Sequence, residues 1–155
     1  MDVMTLTVVS EFAMNAAMPP KYAACGDNVS PPLSWSKVPT GTKSIAVLCD
    51  DPDAPRGDWV HWVLFNLPPE TTKLEAGVPK QAKLPSGAIQ GVNDFPGTGY
   101  DGPYPPPGKP HRYFFKVFAL DTKLNLTEKA RKADLLKAIQ GHILAQGQLI
   151  GTFQR

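Results

Sequence analysis

Two short stretches of the sequence carry the side chains best suited to chemistry. Residues 50–55 read Asp-Asp-Pro-Asp-Ala-Pro, and His61 follows within an apolar run. Residues 100–113 form a proline-rich stretch that carries His111. Imidazole gains a proton near neutral pH, and a neighbouring carboxylate favours the charged form. We predict that the two stretches meet in the fold and that their histidines and carboxylates form one polar site.

The chemistry that suits this set of side chains is the binding of a small anion. The imidazole of His61 or His111 would donate a hydrogen bond to the anion. Backbone N–H groups of the 102–108 loop and flanking aromatic surfaces would complete the site. The alternative is that each histidine is a strand residue that is satisfied by a hydrogen bond to an aspartate.

Asp51 and Asp53 are separated by a proline, and we expect them to have different roles. Asp51 is expected to face the site, whereas Asp53 is expected to form a buried ion pair with Arg112 that supports the scaffold. Both carboxylates could instead stabilise a turn by accepting backbone N–H bonds. The third histidine, His142, is expected to be a surface or packing residue.

Other chemistries have less support. Two histidines and two aspartates could ligate a divalent ion, but no His-x-x-x-His spacing is present, and we expect no metal and no cofactor. No serine lies in a Gly-x-Ser-x-Gly turn. A hydrolase that uses His61 or His111 as general base, oriented by Asp51, stays open as an alternative to a binding protein. A third hypothesis is an interaction protein with a vestigial pocket.

Strands on either side of these stretches must hold the side chains in place. Apolar runs predict strands at residues 44–49, 59–67 and 112–120. The stretch before the last of these holds five prolines, which remove backbone donors and exclude both a helix and a central strand. It indicates a stiff loop that holds His111 at a strand end and costs little entropy to order.

Weaker patterns complete the predicted fold. Residues 5–9 and 88–92 are expected to form short strands, and residues 149–153 a final one. Apolar side chains at four-residue spacing predict a helix over about residues 132–144, packed on the sheet, with a bend or an end at Gly141. The sum is a mostly β fold, a β-sandwich or Greek-key arrangement with a C-terminal helix, in a single domain over residues 1–155.

The composition of the chain excludes several classes of function. Sixteen basic and 14 acidic residues give a formal charge of +2 without a basic block, which argues against nucleic acid as a partner. No run approaches the ~20 apolar residues of a membrane span, and the first residues lack the features of a signal peptide. Two cysteines are too few for a disulfide framework, and Cys49 is expected to be buried. We expect a soluble, cytoplasmic protein.

Several motifs occur along the chain in a characteristic order. The two most specific are Asp-Pro-Asp-Ala-Pro at residues 51–55 and Gly-Lys-Pro-His-Arg at residues 108–112. Further motifs begin at Gly26 (Gly-Asp-Asn-Val-Ser-Pro-Pro-Leu-Ser-Trp), Trp59 (Trp-Val-His-Trp), Gly91 (Gly-Val-Asn-Asp), Gly99 (Gly-Tyr-Asp-Gly-Pro) and Gly141 (Gly-His-Ile-Leu-Ala). Nearly end to end, the chain resembles the phosphatidylethanolamine-binding protein family, in its short bacterial and archaeal branch.

The resemblance implies a β-sandwich with a small surface pocket for phosphate, a phosphorylated head group or a carboxylate. It also implies a binding protein that modulates a kinase or a protease, and it suggests a homodimer. The sequence departs from the family at Tyr104, where animal members commonly have glycine and bacterial members often have cysteine. By position, the pocket residues are Asp51, Trp59, His61, Gly102, Tyr104, Pro105, Pro106 and His111.

Overall fold

The computed structural model of the protein describes residues 3–155. Residues 1 and 2, which the predicted domain includes, lie outside the described part. Within it the chain forms ten β-strands, one α-helix (α1, Lys132–Ile139) and a short 3-10 turn at Pro20–Tyr22. The strands are β1 (Met4–Thr5), β2 (Val8–Val9), β3 (Ala16–Ala17), β4 (Leu33–Trp35), β5 (Ser44–Asp51), β6 (Trp59–Leu67), β7 (Lys73–Leu74), β8 (Ile89–Gln90), β9 (His111–Leu120) and β10 (Ile143–Phe153).

The strands form two sheets that pack against each other. The large sheet has seven strands in the order β1-β10-β9-β5-β6-β8, and β3 also pairs with β10. The small sheet consists of β2, β4 and β7. The four long strands β5, β6, β9 and β10 pair in antiparallel fashion. The predicted fold class, a mostly β sandwich with one helix near the C-terminal end, is confirmed.

Both faces of the large sheet are covered where β5 runs through its centre. Between the sheets, Trp35 of β4 belongs to one apolar cluster with Val47 of β5 and Phe115 of β9. On the opposite face, Leu48 of β5 belongs to a second cluster with Leu135 of α1. Because neighbouring residues of a strand point to opposite faces, all eight residues of β5 are buried. This double burial explains why residues 45–49 of β5 form a continuous apolar run.

The helix is real but shorter than predicted. α1 ends at Ile139, so the predicted helix over residues 132–144 is wrong in its last turn. Gly141 has a φ of +78°, a left-handed conformation that commonly follows the end of a helix. The chain then enters β10 at Ile143, where pairing with β9 satisfies the backbone over a long edge. Among residues 3–155 no helix is long and apolar enough to cross a membrane.

The strong strand predictions are confirmed as β5, β6 and β9, and the predicted final strand at residues 149–153 is the end of the longer β10. The segment 88–92 contains only the two-residue strand β8. β8 is shorter and β10 longer than predicted because strand length depends on pairing with residues distant in sequence, which local apolar patterns do not encode.

The prediction of one strand over residues 5–9 is wrong, because this segment moves from one sheet to the other. The N–H of Leu6 donates to the carbonyl of Gln146 in the large sheet. The N–H of the next residue, Thr7, donates to the Oγ of Ser36, beside the small sheet. The segment therefore divides into β1 and β2, one in each sheet.

We predict that Leu135→Ala lowers the free energy of unfolding by about 2–5 kcal/mol, because it empties a fully buried position between α1 and the large sheet. Leu136→Ala is the matched control, since this neighbouring side chain is 38% exposed. Its effect should stay within about 0.5 kcal/mol. Urea unfolding of both variants measures the difference, and equal losses would contradict the helix face that we describe.

Candidate ligand-binding site

A cavity of about 300 Å³ opens at one end of the large sheet. Seven of the eight pocket residues expected from the sequence lie in its wall, and Gly102 does not. The wall is mostly aromatic and proline side chains, with two imidazoles and one carboxylate among them. Its residues are Asp51, Ala54, Pro55, Trp59, His61, Phe95, Tyr104, Pro105, Pro106, His111 and Tyr113.

Strand direction brings the polar side chains of the cavity together. β5 is antiparallel to both β6 and β9, so the end of β5 lies beside the beginnings of its two neighbours. Asp51 is the last residue of β5, Trp59 is the first of β6 and His111 is the first of β9. The two stretches singled out in the sequence therefore meet, and they do so where the apolar core between the sheets ends.

His61 reaches the cavity through an irregularity in the pairing of β5 and β6. Cys49 pairs with Trp62, whereas Asp50 pairs with Val60, so His61 is an extra residue on its strand. Val60 packs in the cluster on the helix side and Trp62 in the cluster between the sheets. A bulge of this kind bends the strand and redirects a side chain. Here it turns the imidazole towards the cavity.

His111 is held by the carboxylate of Asp51. The distance between Nδ1 of His111 and Oδ2 of Asp51 is 2.7 Å, and the two side chains are 13% and 4% exposed. The other carboxylate oxygen accepts the N–H of Asp53 at 2.7 Å, which fixes the acid in the turn. An ionised carboxylate only accepts, so Nδ1 carries the hydrogen and Nε2 is the ring nitrogen left for a ligand.

His61 is fixed in the same tautomer by a different partner. Its Nδ1 donates to the backbone carbonyl of Asp101 at 2.6 Å, and the residue is 2% exposed. Burial lowers the pKa of His61 below its ordinary value of 6.5, while the carbonyl and the charges of Asp51 and Asp101 oppose the shift. Near neutral pH the ring is therefore mainly neutral, with Nε2 as a hydrogen-bond acceptor.

Tyr113 is a site residue that was not among those expected from the sequence. It lies two positions after His111 on β9, so both side chains point to the same face. That spacing is the signal that could have identified it. Its hydroxyl is buried and makes no hydrogen bond of normal geometry among residues 3–155, although the Asp51 carboxylate lies close to it. Burial, together with the charge and the proximity of Asp51, raises the pKa of Tyr113. An unpaired buried hydroxyl in a cavity wall is a group that a ligand can satisfy.

Phe95 is another of the four wall residues that were not expected from the sequence, the others being Ala54, Pro55 and Tyr113. Its ring meets the rings of Trp59 and His61 edge to face, with centroids 5.5 and 5.3 Å apart. The Phe95 side chain is 38% exposed, so part of its apolar surface faces solvent beside the cavity. No local pattern identifies it, because it comes from the irregular segment after β8.

Backbone N–H groups of the 102–108 loop were expected to bind the ligand. Two of the three N–H groups in this loop are instead used within the fold, so the expectation is wrong for them. Four of the seven residues are prolines. The N–H of Gly102 donates to Oδ1 of Asn28 at 2.7 Å, and that of Gly108 donates to the carbonyl of Arg155 at 3.4 Å. Only the N–H of Tyr104 has no acceptor among the residues described. Gly102 has a packing role, since an added Cβ would lie 2.0 Å from the carbonyl of Tyr22.

The expected pairing of Asp53 with Arg112 is confirmed. Nε and one terminal nitrogen of Arg112 each donate to a different oxygen of Asp53 at 2.9 Å, and the Arg112 N–H donates as well. The side-chain bonds are the main reason that the pKa of Asp53 lies below its ordinary value. The expectation of a buried pair is wrong, because the Arg112 side chain is 53% exposed.

The two cysteines and His142 are not part of the cavity wall. Cys49 is buried, Cys25 is exposed, and neither forms a disulfide. His142 lies outside the site and pairs with Asp121 at 2.7 Å on the surface. Within the described part of the chain, no three side chains of His, Cys, Asp or Glu converge as a metal site would require.

The chain is thus a β-sandwich with a small, partly polar cavity at the end of its large sheet. A family model described as phosphatidylethanolamine-binding protein matches residues 8–154. The chain belongs to the phosphatidylethanolamine-binding protein family.

Relatives from archaea and bacteria agree with this assignment. A UPF0098 protein of Methanothermobacter thermautotrophicus is 52% identical over 138 residues, which cover 89% of this chain and 91% of the relative. The crystal structure of a phosphatidylethanolamine-binding protein homolog, CT736 of Chlamydia trachomatis, is 37% identical with a TM-score of 0.88, over 97% of this chain and 98% of that one. Escherichia coli YbcL, described as a member of the mammalian family, is 36% identical with a TM-score of 0.89 and the same coverage.

We predict that His61 makes the folded state less stable as the pH falls below about 6.5. Its pKa in the fold is lower than the ordinary 6.5, so the unfolded chain binds more protons in the window between the two values. The free energy of unfolding should therefore decrease across that window and level off below the folded pKa. Urea unfolding at closely spaced pH values measures this slope.

His61→Gln should flatten the slope, because an amide can still donate to the Asp101 carbonyl but does not titrate. His142→Gln, which replaces an exposed histidine, is the control and should leave the slope in this window in place. An unchanged slope in His61→Gln would show that burial does not lower this pKa.

Proposed function

We propose that the protein binds a small anion in the cavity between His61 and His111: phosphate, a phosphorylated head group or a carboxylate. The observation that carries the proposal is the common orientation of the two imidazoles. Each Nδ1 is occupied by an acceptor, Asp101 O for one ring and Asp51 Oδ2 for the other. Each Nε2 is therefore left for a ligand, and the unpaired Tyr113 hydroxyl supplies a third polar group.

The charge of the wall determines how an anion would bind. Of the eleven described residues that line the cavity, none is Lys or Arg, and Asp51 is an acid. An anion therefore needs protons on the imidazoles as its counter-charge. If His111 is an imidazolium, its charge offsets that of Asp51. If His61 is an imidazolium as well, the cavity has a net positive charge. Ligand binding and proton uptake are coupled in this scheme, because each favours the other.

Titration calorimetry with inorganic phosphate and phosphoethanolamine tests the proposal. We expect wild type to bind both, and His111→Ala to bind at least about tenfold more weakly, because a charge-assisted hydrogen bond is lost. His142→Ala is the matched control, since it removes an imidazole that also pairs through Nδ1 with an aspartate at 2.7 Å but lies outside the site. The absence of heat in wild type, or equal binding by all three proteins, would overturn the proposal.

The same titration with dimethyl phosphate isolates the proton linkage, because a phosphodiester keeps a single charge over the pH range concerned. Affinity should fall as the pH rises from about 5.5 to about 8.5, as the imidazoles lose their protons. A flat profile would mean that neutral donors, such as the Tyr104 N–H and the Tyr113 hydroxyl, hold the anion instead.

A hydrolase is the second candidate, and the contact between His111 and Asp51 is the observation that favours it. A carboxylate that orients an imidazole through Nδ1 leaves Nε2 as a general base. The eleven wall residues include no Ser, Thr or Cys, so the attacking group would be water. Catalysis would then require His111 to be neutral, whereas anion binding requires it to be charged. The two functions therefore make opposite demands on pH.

A panel of phosphomonoesters, phosphodiesters and carboxylic esters tests for hydrolysis. A hydrolase should turn over at least one substrate at a rate that rises with pH, and His111→Ala should abolish this activity while His142→Ala leaves it intact. Turnover that persists in His111→Ala would show that His111 is not the general base. If wild type turned over no substrate, the hydrolase hypothesis would be excluded.

Family membership alone supports two further parts of the proposal. One is a protein partner, such as a kinase or a protease, that responds to the occupied pocket. The other is a homodimer, which a monomeric mass in analytical ultracentrifugation would exclude.

A further inference from the structure

The outer wall of the cavity is formed by a loop with few anchors of its own. Residues 104–108 follow Pro103, whose carbonyl accepts the N–H of Ala24. Beyond that point three prolines in succession leave the backbone without donors. Within residues 3–155, the hydrogen bonds that hold this part of the loop to the rest of the fold come from the two residues that follow β10.

Gln154 and Arg155 fasten this loop at two points. Nε2 of Gln154 donates to the carbonyl of Gly108 at 3.1 Å. Nε of Arg155 donates to the carbonyl of Pro105 at 2.5 Å, and the Arg155 carbonyl accepts the N–H of Gly108 at 3.4 Å. The guanidinium carbon of Arg155 lies 4.0 Å from the centre of the Tyr104 ring, within the range of a cation–π contact. Pro105 and Tyr104 are both wall residues of the cavity.

The sheet itself places these residues beside the loop. β10 pairs with β9 along its length, and the last pair of the ladder is Phe153 with His111. Continuation of the two strands by one or two residues brings Gln154 and Arg155 next to the residues that precede His111. The ladder that positions the histidine of the site thus also positions the two residues that hold its outer wall.

We propose that Arg155 is a positioning residue for the cavity: it holds Tyr104 and Pro105 as a fixed outer wall and places a permanent positive charge beside that wall. Tyr104 is 52% exposed, so without this contact its ring would be free to rotate away from the cavity. The part of this inference that concerns a ligand rests on the anion-binding function proposed above, whereas the part that concerns the order of the loop does not.

Three variants test the inference. Arg155→Met removes both the charge and the donor, and Arg155→Lys keeps the charge and can still donate to Pro105. Lys137→Met, at an exposed position of α1, is the control for the loss of one positive charge. The first readout is the NMR order parameter of the Tyr104 amide in the free protein. We expect a rigid value of about 0.85 in wild type and in the control, and a value below about 0.6 in Arg155→Met.

The second readout is the affinity for phosphoethanolamine at a pH where wild type binds. We expect Arg155→Met to bind about tenfold more weakly, Arg155→Lys to recover to within about threefold of wild type, and Lys137→Met to match wild type. Recovery by lysine separates the positioning role from a general effect on folding, and thermal unfolding of each variant checks that the fold is intact.

Each result decides the inference. An ordered Tyr104 amide in Arg155→Met would overturn it, even if wild type binds phosphate well. Loss of order with unchanged affinity would also overturn it, because the wall would then not matter for the ligand. If wild type bound no phosphate, the anion-binding proposal would fail, while the order parameters would still show whether Arg155 holds the loop.

Discussion

The irregular pairing of β5 with β6 at His61 is the constraint on which the site depends. A shift of one residue in a strand moves every side chain to the opposite face. Both faces of this part of the sheet are buried, by Val60 on the helix side and by Trp62 between the sheets. The register on each side of the bulge is therefore fixed by packing, and the extra residue has no freedom to move. Packing of the core thus fixes the position of His61 along its strand, and the bond to the Asp101 carbonyl fixes the orientation of the ring.

Two adjacent acids show how the sheet separates charges. Asp50 faces the helix side, where Lys132 and Lys116 approach its carboxylate at 2.6 and 3.3 Å. Asp51 faces the cavity and contacts His111. Lys116 and Lys132 thus neutralise Asp50 on the helix side, whereas Asp51 contacts an imidazole on the cavity side. Since Lys132 is the first residue of α1, the helix is also tied to the strand that ends in the site.

The parts of the site that follow from strand direction could be predicted from the sequence. Asp51 and His111 end and begin strong apolar runs, so antiparallel neighbours bring them together. The contact of Asp53 with Arg112 follows from the same meeting of strand ends. The bulge at His61 was not predictable, because it depends on which apolar residues of the partner strand face which cluster. Bonds between the proline-rich loop and remote residues, such as Arg155, have no local signal at all.

Anion binding and hydrolysis, the two candidate functions, would place different demands on the same cavity. The contact between His111 and Asp51 serves a general base as well as a proton-dependent anion site, so it does not separate the two functions. The other polar groups of the wall, the Nε2 of His61 and the hydroxyl of Tyr113, can hydrogen-bond a ligand in either case, and the prolines and aromatic rings shape a small volume. A hydrolase would use these groups to place a water and to donate to the leaving group, whereas a binding protein would use them to hold the anion. The charge of a bound anion would also oppose the effect of burial on the pKa of His61.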